Sequence, residues 1–482
     1  MHNGDDALPR ELTDWVEQAV DGSIVDIRQQ ARWRPTYFID VKSPGVGATV
    51  LKSARAPKKV IQRSALLSTF NSNREALVLE WLSGRDLTTL KVPPFLGFHE
   101  ESGSLLMAKL EGSAQMHNVD DDAQLRSISV DFAEQLAELH RLDIAPLVAS
   151  TDLRIPTEAK ALALGNFLAY AEADLDTVRS KRPQLTDPLL TLAREWVHRR
   201  FPDTSRGACL VQGDCGPDQF LFVDGQVSAI IDWELAHIGD PMVDLGAMRL
   251  RECIYPAGMF PLVLDRYRAL GMPVDEQAIR YYTVVTILFT LFGTFGGAVR
   301  LDPRNDEVIQ QLWWQVSLRR ALCEAIAEWE GIELAEPVPM EADGGTEARM
   351  QELLAARLDE LARRGGEWAA QLRPTMALAD AIANDRRLGP ARDAADRADL
   401  GAVLGTTVDD VDDGKRQLEQ RLLADGTDGF AATLQTLYNL AVREQVAWLP
   451  LWGSDRWTED DSEGDEELRV DQAALGLTPL EG

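Results

Sequence analysis

Residues 211 to 234 read VQGDCGPDQFLFVDGQVSAIIDWE, and an Asp-Gly pair at 224–225 divides this stretch into two apolar runs. An Asp-Gly pair between apolar runs is among the strongest short-range signals for a β-hairpin. A two-residue turn at this point pairs Gln219 with Ile230 and returns Asp232 to the start of the hairpin. Because neighbouring strands lie about 4.8 Å apart and rise about 3.3 Å per residue, Gln219 and Asp232 are expected within reach of one ion.

This arrangement suits phosphoryl transfer with a magnesium ion. Mg²⁺ prefers hard oxygen ligands and usually keeps substrate phosphates in its shell, which fits the amide of Gln219 and the carboxylate of Asp232. A separate carboxylate, Asp214, is placed to accept or orient the proton of an attacking hydroxyl. Each residue taken singly is better explained by a turn cap or a surface charge. Their joint order favours a reactive cleft.

The upstream sequence predicts a small β lobe that ends one strand in a lysine. Two apolar runs, Thr36–Val41 and Ala48–Leu51, flank a glycine-rich turn at 43–47 and lead into Lys52. A phosphoryl-transfer site needs a cation on the nucleotide phosphates. We therefore expect Lys52 to hold the α- and β-phosphates of ATP.

A helical pattern between about residues 64 and 83 follows and contains Glu75. We expect Glu75 to position Lys52 through an ion pair. A short apolar strand is predicted at Leu105–Met107, before Gly112.

From Asp131 onward the periodicity is mostly helical, so a small mixed lobe precedes a large helical one. A proline- and glycine-containing acidic stretch then separates a second helical region, and the final segment is rich in acids. The predicted domains are an N-terminal nucleotide-binding lobe (1–110), a helical C-lobe with the catalytic and metal-binding loops (111–335), a linker (336–346), a helical accessory domain (347–453) and an acidic disordered tail (454–482).

The composition limits the classes of binding partner and the cellular compartment that we expect for the protein. The 482 residues carry 49 Lys and Arg against 78 Asp and Glu, a net charge of −29 that argues against nucleic acid and anionic membranes as partners. Four cysteines without a CxxC pair favour free thiols in a reducing compartment. The first residues lack the basic and apolar stretches of a signal peptide. We predict a cytoplasmic protein.

One segment allows a different interpretation. Residues 281–299 carry no charge and are long enough to span a bilayer. Threonines and glycines dilute the segment, and single arginines at 280 and 300 flank it symmetrically, which gives no orientation signal. A buried helix of the helical lobe is the preferred prediction, and a membrane span is the alternative.

The motifs together resemble the aminoglycoside phosphotransferase and choline kinase-like family, a branch of the protein-kinase-like fold. The family's catalytic loop reads H-G-D, four residues, then N, followed by a hairpin and I-D-W-E, G-D-P and D-L. The matching residues here are Gln212-Gly213-Asp214, Gln219, Ile231–Glu234, Gly239-Asp240-Pro241 and Asp244-Leu245.

The resemblance covers roughly residues 20 to 335. It implies an α+β, two-lobed protein-kinase-like fold followed by an all-α accessory domain, with ATP and Mg²⁺ as cofactors. It also implies that Met107 to Leu110 form the adenine-binding hinge, so Met107 and Leu110 are predicted cofactor-binding residues.

Two positions depart from the family pattern. Gln212 stands in place of the loop histidine, whose role in the family looks structural. Gln219 stands in place of the metal-binding asparagine and adds one methylene to the ligand, which Mg²⁺ tolerates poorly. A misplaced ligand costs about 10²-fold in rate.

The sequence therefore predicts a small-molecule kinase with Asp214 as base, Gln219 and Asp232 as metal ligands, and Lys52 with Glu75 as phosphate anchor. Within the family, the layout is similar to kinase domains fused to acyl-CoA dehydrogenases, which implies a hydroxyacyl-CoA acceptor. An aminoglycoside acceptor and a catalytically silent nucleotide-binding or partner-docking module are the alternatives. Homo-oligomerisation through the helical domain is left open.

Overall fold

A computed structural model gives the architecture. It describes residues 8–30, 36–52, 72–151, 153–156, 159–203, 206–301, 308–341, 346–363, 369–425, 429–451 and 480. The predicted acidic tail (454–482), apart from residue 480, lies outside these residues, as do the first part of the helix predicted at 64–83 and part of the linker predicted at 336–346.

The N-terminal lobe is a five-stranded antiparallel sheet with strand order β1-β2-β3-β5-β4. Its strands are β1 (Ser23–Gln30), β2 (Thr36–Lys42), β3 (Ala48–Lys52), β4 (Phe95–His99) and β5 (Ser104–Ala108). The β2–β3 hairpin and the strand at β5 are therefore present where the sequence predicts them. In the described residues β3 lies between β2 and β5, so Lys52 belongs to an interior strand of the sheet.

One apolar core holds this sheet against the first helix. Leu12 and Val16 of this helix, Arg10–Ala19, are buried against Ile39, Leu51 and Leu106 of the sheet. Fully burying a side chain of this size contributes about 1.5–3 kcal/mol. The core fixes the sheet and thereby the end of β3.

The remaining strands are short and build the loops of the catalytic region. They are β6 (Cys209–Val211), β7 (Phe220–Val223), β8 (Gln226–Ile230) and β9 (His237–Gly239). Strand β6 pairs antiparallel with β9, and β7 pairs antiparallel with β8. The Asp-Gly turn at 224–225 has positive φ at both residues, +49° and +77°, as a type I′ turn requires.

The described α-helices are α1 (Arg10–Ala19), α2 (Ser72–Ser83), α3 (Asp122–Arg141), α4 (Ala145–Ser150), α5 (Ala159–Lys181), α6 (Pro188–Arg199), α7 (Met242–Ile254), α8 (Met259–Ala269), α9 (Glu276–Arg300), α10 (Val308–Glu330), α11 (Thr346–Arg363), α12 (Ala369–Leu404), α13 (Val411–Asp425) and α14 (Phe430–Ala447). The predicted α+β class, with a β-rich lobe, a helical lobe and further helices after residue 346, is confirmed.

Two compact units share the chain. One comprises residues 1–171, 201–283 and 478–482, and the other comprises 172–200 and 284–477. The sequence assigns residues 172–200 and 284–335 to the C-lobe. In this division they group with the later helices. The predicted domain bounds stay predictions.

The second unit has its own charged core. Asp187 accepts from Arg319, and Arg179 lies 3.1 Å from Glu419. Burial leaves these carboxylates and guanidiniums dependent on each other, because an unpaired buried charge is costly. The sequence did not point to this network.

Helix α9 contains the uncharged segment singled out above. Among the described residues it is the one helix long and apolar enough to cross a membrane, with a mean hydropathy of 1.6 over its most apolar window. Of that window, 56% is buried within the protein. The core helix of a soluble protein has the same properties, so the absence of a membrane partner stays a prediction.

Candidate active site

Lys52 lies at the centre of a cluster built from three separate segments. Its Nζ is 2.8 Å from Glu75 Oε1 and also contacts Asp232. Lys52 ends β3, Glu75 lies in the first turn of α2, and Asp232 follows β8. Glu75 retains only 1% side-chain exposure. Glu75 is therefore a buried partner of Lys52, and its role in positioning the lysine stays a prediction.

Asp232 has an unusual backbone. Its φ of +58° lies in the left-handed region, where aspartate is tolerated better than most residues, and it precedes a short 3₁₀ helix at Trp233–Leu235. The indole of Trp233 is buried and donates to Ile230 O at 2.9 Å. The chain therefore turns sharply at Asp232 and keeps its carboxylate about one-third exposed.

The predicted hairpin register is wrong by one residue. Phe220, not Gln219, lies opposite Ile230, because the register shifts at a bulge next to Leu221. Ser228, on the bulged strand, donates its hydroxyl to Glu111 O at 2.9 Å. Gln219 O instead accepts from Ile231 N at 2.9 Å, one residue nearer to Asp232 than predicted.

Gln219 carries an unsatisfied buried oxygen. Its side chain is buried, and Oε1 has no hydrogen-bond partner in the described part of the chain. Buried polar atoms are nearly always paired, so an orphan oxygen on a residue whose backbone contacts the Asp232 loop fits a cation ligand. The same described ranges contain no group of three or more His, Cys, Asp or Glu side chains that could hold a metal ion. Two protein oxygens suffice for a magnesium ion whose other ligands are phosphates and waters.

Asp214 follows β6 in a loop fixed by its neighbours. Gln212 Oε1 accepts from Asp214 N at 2.8 Å, and Gln212 Nε2 donates to Ile231 O and Asp232 O at 3.0 and 2.9 Å. A single amide side chain thus ties the loop of the predicted base to the backbone of the predicted metal ligand. Gln212, which stands where the family pattern has histidine, therefore bridges the two loops at this point.

A buried aspartate on α7, Asp244, also holds the loop of Asp214 in place. Asp244 accepts from Gln212 N at 2.9 Å, from Gly213 N at 2.7 Å, and lies 3.0 Å from His140 Nε2. Gly213 has a φ of +88°, and a Cβ there would lie 2.3 Å from Leu235 O. Only glycine therefore fits this position.

The environment of Asp214 is electrostatically mixed. Burial and the nearby Asp232 carboxylate raise the pKa of Asp214, while the guanidinium of Arg251 opposes the rise. Arg251 Nη1 lies 2.9 Å from Asp214 Oδ1. The Asp214 side chain is still 30% exposed, which an approaching hydroxyl requires.

The predicted hinge residues lie on the strand next to Lys52. Lys52 is opposite Leu105 in the β3–β5 register, and Met107 is two residues further along β5. With a rise of about 3.3 Å per residue, this offset is about 7 Å. Leu110 follows the end of β5 and is half-buried. Their adenine-binding role stays a prediction.

The structure thus brings Lys52, Glu75 and Asp232 into contact and places Gln219 next to the Asp232 loop. The roles assigned to these residues and to Asp214 stay predictions. Sequence reasoning missed Arg251. The only signal was its place on the helix of the matched Asp-Leu motif, seven residues after Asp244.

The sequence was compared with protein families and with curated proteins. The model of the phosphotransferase enzyme family, APH, matches residues 33–274. Acyl-CoA dehydrogenase family member 11 from Mus musculus is 31% identical over 170 residues, which cover 33% of this chain and 20% of that protein. The Homo sapiens protein of the same name is 28% identical over 131 residues, covering 27% and 16%. The matched segment therefore spans about a fifth or less of these relatives.

Solved structures of similar architecture include a gentamicin complex of APH(2″)-IIa, at 18% identity and a TM-score of 0.47 over 64% of this chain and 96% of that one. Macrolide 2′-phosphotransferase type I gives 17% identity and a TM-score of 0.43 over 63% and 96%. The family model spans half of the chain and includes every residue of the cluster described above. This chain belongs to the phosphotransferase enzyme family.

Proposed function

We propose that the protein is a small-molecule kinase that transfers the γ-phosphate of ATP to a hydroxyl group. The observation that carries this proposal is the contact of Lys52 with both Glu75 and Asp232. These residues come from three segments far apart in sequence, and a lysine held between two carboxylates is poised to exchange one of them for phosphate.

Each residue of the candidate site has a separate role in this reaction. Lys52 binds the nucleotide phosphates, and buried Glu75 fixes the direction of its ammonium group. Asp214 orients the acceptor hydroxyl and takes its proton as the new O–P bond forms and the bond to the leaving ADP breaks. Catalysis of this kind depends on positioning and on electrostatic stabilisation rather than on a covalent intermediate.

Gln219 and Asp232 would hold the magnesium ion. The orphan Oε1 of Gln219 and the partly exposed carboxylate of Asp232 have the hard-oxygen chemistry that this ion prefers. When bound, magnesium neutralises phosphate charge. The side chain of Gln219 is one methylene longer than that of asparagine, so we expect it to affect the rate of phosphoryl transfer.

We further propose a hydroxyacyl-CoA as acceptor. The matching curated relatives are named acyl-CoA dehydrogenase family members, which supports an acyl-CoA.

An aminoglycoside is the second candidate. The net charge of −29 attracts a polycation and repels the phosphates of a coenzyme A thioester. The basic residues that the sequence offers for coenzyme A, Lys58, Lys59 and Arg63, lie outside the described residues. Measured turnover decides between the two acceptors.

The test is ATP turnover with Mg²⁺ across hydroxyacyl-CoA thioesters, aminoglycosides and choline-like alcohols, with D214N as control. We expect turnover with a hydroxyacyl-CoA and a loss of about 10³-fold in kcat in D214N, as removal of a general base produces. Turnover with an aminoglycoside alone would overturn the proposed acceptor but would support the proposed kinase activity. ATP binding without turnover for any acceptor would instead identify a catalytically silent module.

A cytoplasmic location and assembly of copies through the helical accessory domain also stay proposals. Fractionation of the native host and light scattering of the purified chain test them. A monomer at micromolar concentration would exclude the assembly.

A further inference from the structure

We propose that Arg251 is the positioning residue of the predicted base: it fixes one oxygen of Asp214 and leaves the other for the acceptor hydroxyl. This inference rests on the proposed function. Arg251 Nη1 donates to Asp214 Oδ1 at 2.9 Å, whereas Oδ2 has no hydrogen-bond partner in the described part of the chain. A carboxylate held by one oxygen keeps its direction and retains a free lone pair.

Arg251 is itself held at two points. Its Nε donates to Pro217 O at 2.7 Å, and its guanidinium lies 5.6 Å from the ring centre of Tyr255. The guanidinium is planar, so two hydrogen bonds from different nitrogens determine its orientation. Its side chain is only 12% exposed. Arg251 therefore acts as a rigid partner and not as a mobile surface charge.

The loop around Arg251 closes on it tightly. A Cβ at Gly216 would lie 3.2 Å from both Cβ and Cδ of Arg251 and 3.1 Å from Met248 Cα. Gly216 also has a φ of +135°, which side-chain-bearing residues rarely adopt. The segment from Asp214 to Pro217 thus wraps around the arginine stem, with contacts at both ends and in the middle.

One helix supplies both anchors of the loop. Asp244 in the first turn of α7 accepts from the backbone of Gln212 and Gly213, and Arg251 lies seven residues later. Residues seven apart lie two turns along the same helix face, about 10 Å apart. Helix α7 therefore holds the backbone of the loop through an anion and the carboxylate of the base through a cation.

The charges of the region make this cation necessary. Asp214 lies near the Asp232 and Asp244 carboxylates, which disfavour its ionised form. Lys52 pairs with Asp232, and the described contacts give Asp214 no other cation than Arg251. Without Arg251, we expect Asp214 to sample orientations away from its neighbours and away from the acceptor.

The experiment measures Mg²⁺-dependent ATP hydrolysis, with water as acceptor, together with ATP affinity by calorimetry. We expect R251M to lower kcat about 30- to 100-fold, as misplacement of a reacting group does, with ATP Kd within about threefold. R251K should recover about tenfold, because an ammonium keeps the charge but loses the second hydrogen bond. The matched control is R266M, which removes a guanidinium paired with Glu134 elsewhere in the same unit and should stay within about twofold.

A double-mutant cycle separates positioning from a structural role. If Arg251 acts through Asp214, R251M causes no further loss of kcat in the D214N background. An equal loss in both backgrounds, or a kcat of R251M within twofold of the wild type, overturns the proposal.

A wild type without hydrolysis or transfer would overturn the proposed function instead. Thermal unfolding then tests the pairing on which the inference depends. R251M should lower Tm less than half as much in D214N as in the wild type, and equal shifts overturn the inference.

Discussion

The site has two sides, a loop side around Asp214 and a lysine side around Lys52, and different interactions hold each of them in place. The loop of Asp214 is fixed by hydrogen bonds within the protein: its backbone donates to Gln212 and Asp244, and the Asp214 carboxylate accepts from Arg251. The cluster of Lys52 is held by ion pairs, in which the ammonium group is shared between Glu75 and Asp232.

The difference indicates which interactions change during a catalytic cycle. Hydrogen bonds between buried groups cost the desolvation of each group when they break, so the Asp214 loop is expected to stay in place. The Lys52–Asp232 contact is replaced without such a cost, since phosphate offers lysine an equivalent anion. Substitutions on the loop side should therefore affect turnover, and those on the lysine side should affect nucleotide affinity.

The largest expected effect on nucleotide affinity is on the lysine side. K52M should weaken ATP affinity about 100-fold, or about 2.7 kcal/mol, because the phosphates lose their cation. E75Q should weaken it about tenfold, since the ammonium group stays but loses its fixed direction. Calorimetric titration with ATP and Mg²⁺ measures both.

The matched control for K52M is K91M, which removes a half-exposed lysine 3.9 Å from Asp131 and should bind ATP like the wild type. Wild-type affinity in K52M, with a loss of kcat only, would show that the two sides do not divide binding and turnover as described.

The second effect is on stability and depends on pH. Burial lowers the pKa of His237 to about 4, and its Nδ1 lies 2.9 Å from Leu235 O. Its pKa in the unfolded chain is about 6.5. The folded pKa is depressed, so the neutral ring stabilises the fold above pH 6.5, and this stability is lost as pH falls from about 6.5 to about 4.

The free energy of unfolding should fall by about 2 kcal/mol between pH 7 and pH 5 from this residue alone. Denaturant titration of the wild type and H237Q at both pH values measures the contribution. His237 pairs with Val211 at the end of β6, directly before the loop. An unchanged pH dependence in H237Q would show that the loop side does not depend on this neutral ring.

The features that sequence predicted correctly are those set by neighbouring residues. The Asp-Gly turn needs only its own backbone preferences and flanking apolar runs, and Lys52 directly follows the apolar run that forms β3. The contact of Lys52 with Glu75 could be expected only from the resemblance to a family and from the needs of phosphoryl transfer, because the two residues are 23 positions apart.

The features that sequence missed depend on distant partners. The bulge next to Leu221 comes with a hydrogen bond from Ser228 to Glu111, and a local turn rule contains no information about residue 111. Arg251 meets Asp214 across 37 positions, and arginines on helices are usually solvated.

A smaller effect tests the bridge between the two sides. Q212E keeps the size of Gln212 and its acceptor for Asp214 N but replaces the two donors to Ile231 O and Asp232 O by a carboxylate oxygen. Two partly buried carbonyls lose this donor, at a cost of about 1–3 kcal/mol. We expect kcat to fall about tenfold with ATP affinity nearly unchanged.

Steady-state kinetics and a melting curve check this change, with Q417E as a control that alters an amide paired to an exposed aspartate on α13. A loss of ATP affinity larger than the loss of kcat would place Gln212 on the lysine side of the site instead.

At Cys215 we expect no alkylation of the thiol in the native protein. This thiol directly follows the predicted base, but it is 2% exposed, and burial raises its pKa well above the usual value. Thiolate is the reactive form, so the native protein should take up no iodoacetamide at Cys215 within minutes at pH 8, whereas the denatured protein reacts fully. Peptide mass spectrometry locates the label. Rapid native labelling would mean that the loop opens, and the contrast between a fixed loop and an exchangeable lysine cluster would then no longer hold.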